Sequence, residues 1–336
     1  GSSHGETRII RKGYFEGEHY VSILERAYEL WEELEDESGQ KLLHKTGLIA
    51  FGEKGTQLVD NTIESCKKNN FEHEELAAEE LNERFPGYEL PEDYKAVLEP
   101  EGGFLESEKC IMAHVIQAQK NGAEIHAQEK VENWESEEEG VKIETDRGSY
   151  KANKLVFAAG AWTPKLIPSV SEYLQVDLHS LTWEQPERPQ FYRSNNFPPF
   201  IADTEEGQYY GFPHHERPGF KYARFKPVEQ KIDPETVERQ PEISDAQRLS
   251  AFSKKNFKAA KGDVMAIERC LQTDTPDRDF IIDKLPDCEN LVVGAGFSGH
   301  GFKMSSAIGE ILADLAEKGE TRFEIEEFRI SRFQGK

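Results

Sequence analysis

The sequence runs to 336 residues with a formal net charge of -23, long enough for two hydrophobic cores and too acidic to neutralise a phosphate backbone. Its aromatic content of 10% and hydrophobic content of 37% exclude general disorder. No apolar run approaches the ~20 residues of a membrane span and no secretory segment opens the chain, so a cytoplasmic location is expected, with no nucleic-acid or membrane partner.

Taken alone, Gly1-Ser2-Ser3-His4-Gly5 reads equally as a purification scar or as native sequence. Ile23, Ala27, Leu30, Trp31 and Leu34 recur at helical spacing and predict a helix over 20–37. Leu48 to Phe51 reads as a short buried strand closed by Gly52. Helices are expected over 56–68 and 77–85, the second stopped by Pro86-Gly87, and 88–101 reads as irregular connection. A further helix covers 107–120 and ends at Asn121-Gly122. Strands are expected at 124–127, 141–145 and 154–158, with Asp146-Arg147-Gly148 turning between the last two and Glu135 to Glu139 as a solvated turn.

From Tyr173 to about Phe225, short β-like runs separated by Pro and Gly suggest a largely antiparallel sheet, and helix returns over 240–259. Cys66, Cys110, Cys270 and Cys288 form no CxxC pair and read as reduced thiols. The ten histidines form no HExxH, and the adjacent His214-His215 reads as surface or core, so no metal is expected.

The strongest local signal lies near the end of the chain. Leu291-Val292-Val293 leads into Gly294-Ala295-Gly296-Phe297-Ser298-Gly299-His300-Gly301 and then a helix striped by Ile308, Ile311, Leu312 and Leu315. Glycines let backbone approach a ligand closely, and a helix start offers unpaired N–H groups and a positive dipole end. A glycine-rich packing turn is the competing reading, and a dinucleotide fingerprint would ordinarily open a βαβ unit instead of closing the chain.

GAGFSGHGFK, Gly294 to Lys303, resembles the C-terminal flavin motif of the monomeric sarcosine oxidase, N-methyltryptophan oxidase and pipecolate oxidase family. Three further segments are similar and fall in the same order: Ser3 to Arg11, Gly211-Phe212-Pro213 with Lys221, and Cys270 followed by Thr275-Pro276-Asp277. The resemblance covers essentially the whole chain and makes the opening residues native sequence. It implies FAD as cofactor and an α/β fold, α+β overall. A discontinuous Rossmann-like flavin-binding domain would be built from 1–44, 106–175 and 277–336. A substrate domain on an antiparallel sheet would take 45–105 and 176–276. The implied reaction is oxidation of a secondary amino acid to an imine, with O2 reduced to hydrogen peroxide.

By resemblance, Cys270 bonds covalently to the flavin, where the bare sequence offers only a buried small hydrophobe. Lys221 shares a strand face with Ala223 and Phe225 and is either a snorkelling rim lysine or, as the family implies, the cation that activates O2. Arg11 and Lys303 are the candidates for a substrate carboxylate, since an arginine fork pairs bidentately with one. His4 and Arg8 sit by the flavin in the family. The competing reading for both arginines is a solvated strand edge, which the lack of a neighbouring acid in the sequence disfavours. Gly160-Ala161-Trp162 resembles a second flavin-contact turn or is an ordinary strand-to-helix turn. Tyr210 is a kept active-site position, and Val131 is either an adenine contact or a core valine.

The sequence departs from the family in three places. Gln272 stands where tyrosine is common and Phe225 where histidine is common, which reshapes the pocket and puts sarcosine itself in question. The family also implies a βαβ unit of roughly 30 residues with GxGxxG ahead of the Ser3–Arg11 segment, just where Gly1 begins. The unit is expected either upstream, giving a monomer, or from a completing partner chain. Two other readings follow: a flavin dehydrogenase that bypasses O2, and a partner-dependent or non-catalytic subunit.

Overall fold

The computed structural model describes residues 1–260 and 262–334. Four sheets and eight helices organise them, and mixed helix and sheet is the class the sequence implies. The largest sheet has eight strands in the order Val264–Asp274, Gln175–Glu184, Phe220–Arg224, Gly207–Phe212, Phe200–Thr204, Leu48–Glu53, Tyr94–Glu99, Glu74–Ala77. All its neighbours are antiparallel except Phe200–Thr204 against Leu48–Glu53. Phe51, Tyr88, Tyr192, Phe197, Phe200, Phe252 and Phe257 fill one of its faces. Each such ring buries 150–250 Å² in general, so this aromatic layer dominates the local energetics.

A second, three-stranded sheet places Gly103–Glu106 between Thr7–Ile10 and Leu43–His44, antiparallel to both. Behind it, helices Val21–Ser38 and Ser305–Glu317 share a core that includes Ile23, Ala27, Trp31, Ile308 and Ile311. Leu155–Phe157 runs parallel to Cys288–Ala295, whose other edge pairs antiparallel with Ile281–Leu285. Val131–Glu137, Gly140–Thr145 and Ser149–Ala152 form an antiparallel meander. Among the described residues no helix is long and apolar enough to cross a membrane.

Several local expectations are corrected. Residues 88–101 are not all irregular: Tyr94–Glu99 is an interior strand, and Glu74–Ala77 pairs beyond it at the sheet edge. Five of the six residues of Tyr94–Glu99 are buried, so both its faces are covered and no polar alternation marks it. Residues 124–127 are irregular and exposed, because Ile125 is an isolated apolar residue with nothing to pack on. Glu135 lies within a strand, and the turn at 146–148 joins Gly140–Thr145 to a strand at 149–152 that the sequence reading did not contain. The single helix expected over 240–259 is two short ones, Ile243–Gln247 and Ser250–Asn256. Finally, a 3₁₀ turn, Phe302–Met304, separates the glycine loop from helix Ser305–Glu317.

Candidate active site

Buried basic side chains flank the strand Thr7–Ile10 at both ends. At its start, the Lys221 ammonium is 2% exposed and donates to Gly5 O (2.6 Å), Thr7 O (2.8 Å) and Thr7 Oγ1 (3.0 Å). Three acceptors match the three donors of an ammonium. Burial, with the Arg8 guanidinium nearby, nonetheless pushes the Lys221 pKa well below the usual lysine value. No carboxylate pairs with its Nζ among the described residues, and the rings of Phe212 and Trp183 lie 4.2 and 5.7 Å away. Gly5 must be glycine here: its φ is +101° and a Cβ would sit 2.7 Å from Leu181 Cδ1. Glu108, in the first turn of helix Ser107–Lys120, fixes the segment by accepting from the N–H groups of Gly5 and Glu6.

Arg8 donates to the carbonyls of Thr7, Ser2 and His4. His4 is half-exposed, with Nε2 3.7 Å from a Glu268 oxygen. Cys270 is buried in strand Val264–Asp274 directly opposite His179, among Leu181, Trp183 and Ala223 with Tyr210 packed alongside. Burial pushes the Cys270 thiol up, and the cations of Arg8 and Lys221 partly oppose it. His4, Arg8, Tyr210, Lys221 and Cys270 therefore form one neighbourhood, and burial raises the Tyr210 phenol as well.

At the other end of the strand, Arg11 is 2% exposed, which rules out the competing solvated-edge reading, but the expected lack of an acid is corrected: it pairs with Glu16 and donates to Gly13 O. Its guanidinium lies 4.4 Å from the Tyr14 ring centroid, and Lys303 Nζ lies 5.0 Å from the same ring. The two expected carboxylate-binding cations thus meet across one aromatic side chain. Glu99 is buried beside them, accepting from Gly13 N (2.7 Å) and Lys12 N (3.1 Å), and burial raises its pKa.

Lys303 donates to His300 O (2.8 Å) and Tyr14 Oη (3.2 Å), and Tyr14 Oη lies 2.6 Å from His300 Nδ1. His300 Nε2 faces the carbonyl of Arg278 at 3.1 Å. Burial drops the His300 pKa to about 4, so the ring is neutral. A neutral ring facing a carbonyl through Nε2 carries its proton there, and Nδ1 accepts from Tyr14. Burial also lowers the Lys303 pKa to about 7. Trp31 Nε1 donates to Lys303 O at 2.8 Å and ties the helical core to this cluster. Tyr14 and Glu99 escaped the sequence reading because their partners come from distant segments, and Glu16 because its pairing with Arg11, five residues away, follows no helix or strand spacing.

Arg11→Ala would leave Glu16 and Glu99 without their buried cation. Removing one partner of a buried pair typically costs about 3–5 kcal/mol. Urea unfolding is expected to show a loss of that size, and a loss under 1 kcal/mol would mean the pair is solvated.

The glycine loop backs onto the Cys270 strand. Gly296 (φ +61°) and Gly299 (φ +79°) leave no room for a Cβ, which would fall 2.5 Å from Thr275 Cγ2 and from Gln272 Oε1. Ser298 N donates to Thr273 O at 3.0 Å. Gly294 and Gly301 are closed in by Leu312 and by Phe297. Side-chain packing, as well as any ligand, therefore demands these glycines. Gly160 (φ +53°) differs: a Cβ there would meet nothing within 4 Å, and Trp162 packs partly buried beside Leu178 and Leu271. Val131 is half-buried at the start of the meander. Among the described residues, His44, Glu106 and His215 bring their ligand atoms within 4.8 Å of one another, a grouping that no spacing in the sequence marks.

Residues 1–315 match the family described as DAO, FAD dependent oxidoreductase. The chain is 40% identical over 341 residues to monomeric sarcosine oxidase of Bacillus sp. (strain B-0618), covering 99% of this chain and 86% of that protein. It is 32% identical over 340 residues to N-methyl-L-tryptophan oxidase of Yersinia pestis (strain Pestoides F), covering 99% and 89%. The structure is similar to that of a Tyr258Phe mutant of NikD, an unusual amino acid oxidase, with a TM-score of 0.86, 25% identity and coverage of 98% and 87%.

Proposed function

The chain belongs to the DAO family of FAD-dependent oxidoreductases and is a flavin-dependent amine oxidase, and from that premise we propose that it oxidises a small secondary amino acid, N-methylated or cyclic, bound between Arg11 and Lys303. The observation that carries this reading is the meeting of two buried cations at the Tyr14 ring, one strand length from the Lys221–Cys270 neighbourhood. Ile9 and Ile10 separate Arg8 from Arg11, a rise of about 10 Å over three steps of extended chain.

The described residues fit the flavin end of the cofactor. Buried His179 Nε2, cross-strand from Cys270, and Arg11 Nε have no hydrogen-bond partner, and Gly160 opens onto free space. Buried polar atoms are rarely left unpaired without a reason. Cys270, His4, Arg8, Gly160, Trp162 and the 294–301 loop would hold the flavin, with Cys270 as the covalent attachment. When bound, flavin supplies the acceptance of two electrons from the carbon next to nitrogen and their transfer to O2. The chain's own part is positioning and charge. Arg11 and Lys303 fix the substrate carboxylate, which takes over the guanidinium face that Glu16 occupies. Tyr14 and neutral His300 hold Lys303 in place through one chain of hydrogen bonds. Lys221 waits on the other side for the charge that O2 acquires. We assign 1–44, 106–175 and 277–336 to the flavin-holding part and 45–105 and 176–276 to the substrate part.

A substrate panel with a pH arm tests this reading. Turnover is expected from at least one of sarcosine, other N-methyl amino acids, proline and pipecolate, and not from the matching amine without a carboxylate. Lys303, with its pKa lowered to about 7, is charged below that pH and neutral above it. Affinity for a carboxylate inhibitor should therefore fall as pH rises through 7. A preference for an amine lacking the carboxylate would overturn the proposal.

A further inference from the structure

We propose that His44, Glu106 and His215 form a binding site for one divalent ion of the zinc class, separate from the flavin chemistry. The three residues come from distant parts of the chain. His44 ends strand Leu43–His44, Glu106 ends strand Gly103–Glu106, and His215 lies in the loop after strand Gly207–Phe212. His44 Nε2 is 2.6 Å from Glu106 Oε1, His215 Nε2 is 3.3 Å from Glu106 Oε2, and all the ligand atoms lie within 4.8 Å of one another. Both imidazoles present the same nitrogen to opposite oxygens of one buried carboxylate.

The donor set and its rigidity fit a metal. Two imidazoles and a carboxylate suit zinc-like ions, with bond lengths of about 2.0–2.2 Å that put tetrahedral ligand atoms roughly 3.3 Å apart. The His215 contact already has that spacing, and the His44 contact needs to open slightly. The His44 ring stacks on Phe104 at 4.7 Å and 10°. The His215 ring stands edge-on to both, at 5.4 Å from His44 and 5.1 Å from Phe104. Locked rings keep a ligand set in place. The 3.3 Å contact of His215 Nε2 with Glu106 lacks hydrogen-bond geometry, so this buried nitrogen is unsatisfied, a cost that coordination would remove.

One group opposes the ion. Lys109 Nζ rests on Glu106, but it also reaches Glu216 at 2.8 Å and keeps that partner if displaced. The consequence reaches the neighbouring strand, because Glu106 sits directly opposite Thr7 in the ladder, and Thr7 supplies two of the three acceptors of Lys221. An ion here would clip the loop after Gly207–Phe212 to the small sheet and stiffen the Lys221 surroundings. It does not rest on the proposed substrate.

The full chain, purified with its cofactor and stripped with a chelator, would be titrated with Zn2+ at pH 7.5 and desalted. Bound zinc by elemental analysis and Tm are the two readouts. One zinc per chain and a Tm rise of several degrees are expected, with Mg2+ giving neither because it demands oxygen ligands. His44→Ala and the loop variant His215→Asn should each lose both effects, whereas His126→Ala, at an exposed histidine elsewhere, should keep them. Absence of zinc uptake by the native chain, or uptake unchanged in His215→Asn, would overturn the site.

Discussion

Lys221→Met is expected to slow reoxidation of the reduced enzyme by O2 by about 10²–10³-fold, the range for losing one preorganised charge-stabilising group, while anaerobic reduction by substrate changes far less. The lysine is buried and, among the described residues, no carboxylate pairs directly with its Nζ, so its charge is not spent on an ion pair. Its three hydrogen bonds run to the 5–7 segment, which fixes the Nζ position without neutralising it. A fixed cation in a dry site acts most strongly on the negative charge that O2 gains with its first electron. The pH dependence has a definite sign. Burial depresses this pKa, so the ammonium is lost as pH rises through a value well below the ordinary one, and the O2 step should slow along that limb. Lys221→Met should remove the limb altogether. Rapid mixing with O2 across pH checks both points, and an unchanged reoxidation rate would make Lys221 structural.

What the sequence made legible follows from where the information is stored. Helix Val21–Ser38 was readable because Ile23, Ala27, Leu30, Trp31 and Leu34 keep one face against the core. Strand Tyr94–Glu99 was not, because burial on both faces erases the alternation that marks a strand. The roles of Lys221 and Cys270 were legible only through their resemblance to family motifs, because their bare sequence reads as a rim lysine and a buried small hydrophobe. The 294–301 loop carried a local signal of its own, a strand, glycines and a helix start, with a packing turn as the competing reading. Glu99 was out of reach for another reason: it meets Gly13 across 86 positions, and no local pattern carries that distance. The same holds for His44, Glu106 and His215, which share no spacing motif. Sequence periodicity reports an element's own burial, whereas a site records what the fold brings together.

Cys270→Ser tests the attachment of the cofactor in an all-or-none way. In the native protein, flavin colour is expected to stay with the polypeptide after acid precipitation. In the serine variant all of it should leave with the supernatant. The thiol is suited to the role by place more than by intrinsic reactivity, since burial raises its pKa and so favours the inert thiol. What offsets this is the company of Arg8 and Lys221, both of which lower it, and the unpartnered His179 Nε2 on the cross-strand residue. The variant removes one sulfur and leaves the strand register intact, so folding should be unaffected. If the 294–301 loop holds flavin as proposed, the variant should still bind it reversibly and be yellow until it is denatured. Colour retained on the denatured Cys270→Ser chain would place the link at another residue, and release from the native protein would mean that no link exists.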